Sequence, residues 1–326
     1  MDGFRLDTVK HVDHAFWREH RRRTREELGK DFFLLGEVWG GDRESLDPWF
    51  SGDELDAGFD FGFQGSALAW VQGRGRTVAF DAYLRSRHKV RKGYLLSHFL
   101  SSHDVPGALF QLAGDKARFR LAALLQLTTT GMPVIYYGEE VGRPGGDWPA
   151  NRGDMPWGER RVGPGAGLPR DESLRQFYQK LVALRRAHPA LSRGSHQGLA
   201  TEGDVYTFVR HDPESGDAVV VAVNRGGKKA PSRSPGPRRG VARPRETCST
   251  EADWRRVRPW RSPSRRCLPA SWVEPREVRA VLAGRGAPPS GPSEESLNVR
   301  CGFQECGQAL RRRVRHRGVE PRHPGP

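Results

Sequence analysis

Apolar residues come in short runs that alternate with amphipathic or charged stretches through residues 3–187. Residues 3–7, GFRLD, read as a short strand in which Phe4 and Leu6 alternate with Arg5 and Asp7. Residues 13–28 set Phe16, Trp17 and Leu28 in a strongly charged segment, the pattern of a surface helix with Asp13 as its cap. Phe32 to Gly36 is a continuous apolar run ending at Glu37, which suits a parallel strand covered on both faces. Leu55 to Phe63 reads as another strand, and residues 65–90 as a mixed helical region. Tyr94 to Leu100 is strand-like and runs into Ser101, Ser102, His103 and Asp104. A helix is predicted over 115–130, with Phe119, Ala122, Ala123 and Leu127 along one side. Met132 to Tyr137 is a strand that ends at Gly138, Glu139 and Glu140. Residues 171–187 form a last helix, with Leu174, Phe177, Leu181 and Leu184 three or four apart.

Strand and helix therefore alternate, with polar groups at the C-terminal ends of the strands. That order predicts an α/β fold with a parallel sheet and helical crossovers. It also places function at the strand ends, where open sheets and barrels both build their sites. Periodicity alone does not choose between those folds.

Charge changes the picture near residue 227. The net charge of +15 suggests a nucleic-acid partner. Its distribution does not: residues 1–227 hold 31 Lys and Arg against 30 Asp and Glu, while residues 228–326 hold 23 against 9. The tail is rich in Pro, Arg, Ser and Gly, and lacks repeated basic and aromatic interleaving. It reads as a disordered basic segment or an out-of-frame translation, with VRAVLAG, residues 278–284, as its one structured piece. Neither a nucleic-acid nor a membrane partner is expected. The four cysteines, Cys248, Cys267, Cys301 and Cys306, all lie in the tail and are not spaced as paired zinc ligands. No run of 18 apolar residues occurs.

Three carboxylates close strand-like runs: Asp7, Glu37 and Asp104. Parallel strands point their C-terminal ends the same way, so these groups can meet on one rim. Arg5 shares a strand face with Asp7 and favours its ionised form. His103 stands beside Asp104, Trp39 just beyond Glu37, and Tyr136 and Tyr137 at another strand end. Acids with aromatic rings suit a neutral polyol ring, although three acids also suit a magnesium site. No phosphate loop or dinucleotide fingerprint occurs.

Taken together, these stretches resemble the alpha-amylase family of glycoside hydrolases. GFRLDTVKH (3–11) resembles its nucleophile motif, GEVW (36–39) its acid/base motif, and FLSSHD (99–104) its third carboxylate motif. GMPVIYYG (131–138) is similar to its last barrel strand, and GGDWPANRGDMPW (145–157) to the following loop of oligosaccharide-acting members. The resemblance covers about residues 2–226. The family usually has Asn where this chain has Ser102.

The resemblance implies Asp7 as nucleophile, Glu37 as general acid/base, and Asp104 as the group that binds sugar hydroxyls and stabilises the distorted transition state. Arg5 would orient Asp7, and His103 would bind hydroxyls. Lys10, His11 and Trp39 would face the sugar, and the His11 main-chain carbonyl would contact calcium. The implied activity is retaining hydrolysis of alpha-1,4 bonds in starch or malto-oligosaccharides; transglycosylation and a non-catalytic glucan-binding role are the alternatives. The implied fold is a partial TIM (β/α)8 barrel, strands four to eight with their helices, over residues 1–195. A truncated β domain follows at 196–227, then the tail at 228–326. The first three barrel strands, their helices and the calcium-binding domain are expected to be missing, so little turnover is expected of this chain. The resemblance leaves cytoplasmic and secreted locations both open.

Overall fold

The computed structural model describes residues 1–226 and 277–284. Five short strands carry the first part of the chain: β1 (Gly3–Leu6), β2 (Phe33–Gly36), β3 (Ala57–Asp60), β4 (Leu95–Phe99) and β5 (Met132–Val134). They pair in sequence order and all in parallel. Parallel neighbours need long crossovers. These are supplied by α1 (His14–Leu28), α2 (Arg43–Ser51), α3 (Phe61–Val71), α4 (Thr77–Ser86), α5 (Ala108–Gln111) and α6 (Lys116–Thr128). The helices α7 (Glu172–Ala187) and α8 (Pro189–Arg193) then lead to an antiparallel meander of β6 (Ser195–Ala200), β7 (Val205–Asp212) and β8 (Asp217–Asn224).

This topology corrects the expected set of barrel strands four to eight. The parallel strands are the first five of the chain, and they form a curled, half-open sheet rather than a closed barrel. Strands β6–β8 belong to a separate sheet outside it. The reason is loop length. Residues 201–204 and 213–216 are all that join β6 to β7 and β7 to β8, enough for hairpins and far too short for a parallel crossover.

Local chemistry sets the element ends. The Asp13 carboxylate accepts from Ala15 N at 2.7 Å and caps α1. Periodicity runs the third strand on to Phe63, but it stops at Asp60, whose side chain accepts from Phe63 N at 3.1 Å and starts α3 at once. Helix α2, hidden in a mixed stretch, begins with a capping box between Asp42 and Ser45. Strand β5 is shorter than its apolar run, so Tyr136 and Tyr137 lie in the loop beyond it. Strand β6, with its small and polar residues, carries no legible strand pattern.

One side of the parallel sheet packs on the helices, where Leu34 and Leu96 join Trp17, Leu46 and Phe50 in one core cluster. A second cluster joins α3, α6 and α7 to the meander through Trp70, Phe119, Tyr178, Tyr206 and Phe208. Helix α6 is buried on nearly every side, so its last carbonyls need protein partners. Three guanidinium groups supply them. Arg185 donates to Leu127 O at 2.9 Å, Arg210 to Thr128 O at 2.8 Å, and Arg87 to Thr130 O at 2.7 Å. These cations sit at the negative end of the helix dipole. Since Arg210 comes from β7, the cap also fastens the meander to the end of α6.

The tail from 228 on lies outside the described residues, except that Glu277–Gly284 forms β9, parallel to β8. The expectation of disorder there, and all four cysteines, fall outside the described residues. Among the described residues no helix is long and apolar enough to cross a membrane.

Candidate active site

Three strands of the parallel sheet, β1, β2 and β4, deliver polar residues to one rim. Asp7 follows β1 directly, Glu37 follows β2, and His103 and Asp104 follow β4. A cleft of about 570 Å³ on this rim is lined by Asp7, Thr8, His11, Glu37, Trp39, His103, Asp104 and Arg152. The three carboxylates singled out in the sequence thus face one space. Arg5 and Lys10 stand behind the lining. Arg5 Nη1 ion-pairs with Asp7 Oδ1, and Lys10 Nζ donates to Trp39 O at 3.2 Å.

Two short crossings join the ends of β1 and β2. Glu37 N donates to Leu6 O at 2.8 Å, and Val9 N donates to Glu37 O at 2.9 Å. They hold the backbones of Asp7 and Glu37 side by side. Thr8 lies between them with φ of 49°, in the left-handed region that a β-branched residue rarely enters. There its N–H donates to Glu37 Oε2 at 2.9 Å. Trp17 Nε1, buried beneath, donates to Val9 O at 2.9 Å and fixes the turn from below. Glu37 is 7% exposed, whereas the Asp7 side chain is 62% exposed. One acid is thereby sunk in the cleft floor and the other stands open.

Asp104 is held from the opposite side. His103 Nε2 lies 2.9 Å from Asp104 Oδ2, and Arg152 Nη2 donates to Asp104 Oδ1 at 2.9 Å. Arg152 Nε also donates to His103 O at 2.9 Å. Asn151 Nδ2 reaches His103 O at 2.8 Å, and Tyr136 OH donates to Asn151 O at 3.1 Å. Ser102, the departure from the family's Asn, uses Oγ to accept from Asp104 N at 3.1 Å. Trp39 is half-exposed, with its ring 5.1 Å from that of Phe61. It offers an apolar plate to the cleft.

Thr8, Asn151 and Arg152 escape single-residue reading of the sequence. The last two sit in GGDWPANRGDMPW, so the loop is visible in the sequence but its reach to Asp104 is not.

Calcium at the His11 carbonyl does not fit these residues. Among the described residues no three His, Cys, Asp or Glu side chains converge as metal ligands, and a hard cation takes six or more oxygens. A single main-chain carbonyl is no such shell, and no step below runs through a metal.

Residues 1–157 match the family model described as alpha amylase, catalytic domain. This part of the chain belongs to the alpha-amylase superfamily of glycoside hydrolases. The cyclomaltodextrinase of Geobacillus thermopakistaniensis is 32% identical over 234 residues, covering 71% of this chain and 38% of that protein. Neopullulanase 2 of Thermoactinomyces vulgaris is 34% identical over 235 residues, covering 70% and 38%. Among solved structures, the cyclic alpha-maltosyl-(1→6)-maltose hydrolase of Arthrobacter globiformis in complex with maltose superposes with a TM-score of 0.60 at 30% identity, covering 69% of this chain and 49% of that one. The chain thus spans well under half the length of these two curated alpha-amylase-superfamily relatives.

Proposed function

We propose that this chain carries the catalytic rim of a retaining alpha-glucan hydrolase that acts on alpha-1,4 bonds of malto-oligosaccharides. The observation that carries the reading is one cleft lined by Asp7, Glu37 and Asp104 together with the Trp39 ring. The named activities of the relatives, cyclomaltodextrinase and neopullulanase, support a short or cyclic glucan as the substrate.

In this reading the sugar ring to be cleaved sits between Asp7 and Asp104. Glu37 gives its proton to the glycosidic oxygen, and the leaving sugar departs with that proton. The open Asp7 carboxylate attacks the anomeric carbon and forms a covalent glycosyl ester. Glu37, now a carboxylate, takes a proton from water as its oxygen attacks the same carbon and releases Asp7. Oε2 of Glu37 is occupied by the Thr8 N–H, which assigns the travelling proton to Oε1. Asp104, steadied by His103 and Arg152, accepts from ring hydroxyls. Arg5 fixes the Asp7 carboxylate in line. Trp39 stacks on the sugar beyond the cleaved bond.

Turnover by residues 1–326 alone is slow in this reading, because the sheet behind the cleft is half-open and misplacement by about 1 Å costs roughly 10²-fold. Covalent trapping tests the reading without demanding fast turnover. The chain is incubated with a 5-fluoro-alpha-glucosyl fluoride and digested, and the labelled peptide is sequenced by mass spectrometry. A glycosyl adduct on Asp7, lost in Asp7→Asn and in no other carboxylate variant, supports the assignment. An adduct on Glu37 or Asp104 overturns it. Binding of maltoheptaose with no adduct at all favours the non-catalytic glucan-binding role.

A further inference from the structure

A buried carboxylic acid lies behind the Asp104 loop and takes no part in the reaction above. Glu139 opens the single helical turn Glu139–Val141 after β5 and is 4% exposed. Ser101 Oγ donates to Glu139 Oε1, and Tyr136 N donates to Oε2 at 3.2 Å. The same Ser101 Oγ accepts from Ala108 N at 2.8 Å. Ser101 and Ala108 are the two ends of the segment that carries His103 and Asp104. One hydroxyl therefore closes this loop and joins it to Glu139.

We propose that Glu139 is a positioning residue for Asp104: through Ser101 it ties the loop bearing His103 and Asp104 to the end of β5, and ionisation of Glu139 tightens that tie. The proposal rests on the reading of Asp104 as a sugar-binding group.

The surroundings of Glu139 set the direction of its titration. Burial, first, pushes its carboxyl up to about 8, and the neighbouring Glu140 adds like charge. The bonds from Ser101 and Tyr136 and the Arg143 guanidinium pull the other way. Arg143 is itself committed to Tyr137 O, Asn151 O and Gly153 O at 3.0–3.1 Å. From α7 the Tyr178 hydroxyl faces the two acids; it is buried and without a hydrogen-bond partner. Above about pH 8 the carboxylate draws harder on the Ser101 hydroxyl and the Tyr136 N–H that donate to it, and the 101–108 loop is held more closely to the end of β5.

The experiment follows the His103 imidazole by carbon–proton NMR on the full chain with labelled histidine, alongside calorimetry with maltoheptaose at the same pH values. In the wild type, His103 should show a second transition centred near pH 8, well above the ordinary imidazole range. Maltoheptaose affinity should rise about fivefold across it. Glu139→Gln should abolish the transition and flatten the affinity profile. Ser101→Ala, which keeps the acid and cuts the tie, should leave His103 blind to it. A transition that persists in Glu139→Gln, or none in the wild type, overturns the proposal. A transition with no sugar binding at any pH upholds the tie and overturns the sugar-binding role of Asp104 instead.

Discussion

The backbone N–H of Thr8 donates to Glu37 Oε2 at 2.9 Å from a left-handed conformation with φ of 49°. A residue from the end of one strand thereby sets the acid at the end of the next. Such backbone strain costs about 1–3 kcal/mol and persists only where surrounding contacts enforce it, as Trp17 and the Glu37–Val9 crossing do here.

Thr8→Gly removes the strain at an entropic cost of about 0.5–1 kcal/mol, so thermal melting should show an unchanged or slightly raised stability. Thr8→Pro cannot reach positive φ and has no N–H. Adduct formation in the fluorosugar trap should then slow by about 10²-fold, the cost of a misplaced catalytic group. Equal trapping rates in Thr8→Pro and wild type would remove the N–H from the mechanism.

A half-buried histidine and a buried glutamate should tilt the dependence of stability on pH in opposite directions. Burial pushes His88 down to about 4, with Arg210 and Arg87 adding to the effect. The unfolded chain binds this proton first, so the His88 contribution is present above its ordinary 6.5 and lost as pH falls toward 4. Glu139 runs the other way. Its contribution is full below the ordinary 4.5 and is lost as pH rises to about 8. Denaturant melts of His88→Gln should lose the acid-side slope, and those of Glu139→Gln the slope between 4.5 and 8. Unchanged slopes would count against these burial effects.

Arg210 donates to Thr128 O, Gly194 O and Ser195 O from a fully buried position. Burial, first, with Arg185 and Arg87 nearby, pushes it down to about 9. Arg210→Met fills the space but strands these carbonyls, at about 1–3 kcal/mol for each unsatisfied group. A loss of about 3 kcal/mol or more in urea denaturation is expected. A loss below about 1 kcal/mol would mean that the meander does not depend on the arginine cap.

Arg152 and Asp104 form a half-exposed pair, so Arg152→Ala should change stability by less than about 1 kcal/mol. Sugar binding should respond more, because Asp104 loses a partner in the cleft wall. Calorimetry with maltoheptaose should show several-fold weaker affinity at a nearly constant melting temperature. A large fall in melting temperature would recast Arg152 as a structural brace.

Much of the molecule could be read from its amino acids. A continuous apolar run at Phe32–Gly36 and a strand-like run at Tyr94–Leu100 marked two parallel strands, the first because a strand covered on both faces repeats apolar residues without alternation. The acids closing those runs marked the rim. The sequence was silent on α2 and β6, where capping and hairpin pairing outweigh weak periodicity. It ran the third strand past Asp60, where one side-chain cap turned the chain into helix. Membership of the alpha-amylase superfamily was also legible there, in motifs that lie nearly 100 residues apart. Only the tertiary structure decided the pairing order of the five parallel strands and the hairpin register of the meander. It alone showed Thr8 setting Glu37, Arg152 reaching Asp104, and Glu139 lying behind Ser101. Strand and helix follow from contacts close along the chain, which leave a period in the sequence. The contacts that set Glu37 and Asp104 in the cleft join residues 29 and 48 apart, and nothing in local spacing encodes which of them will touch.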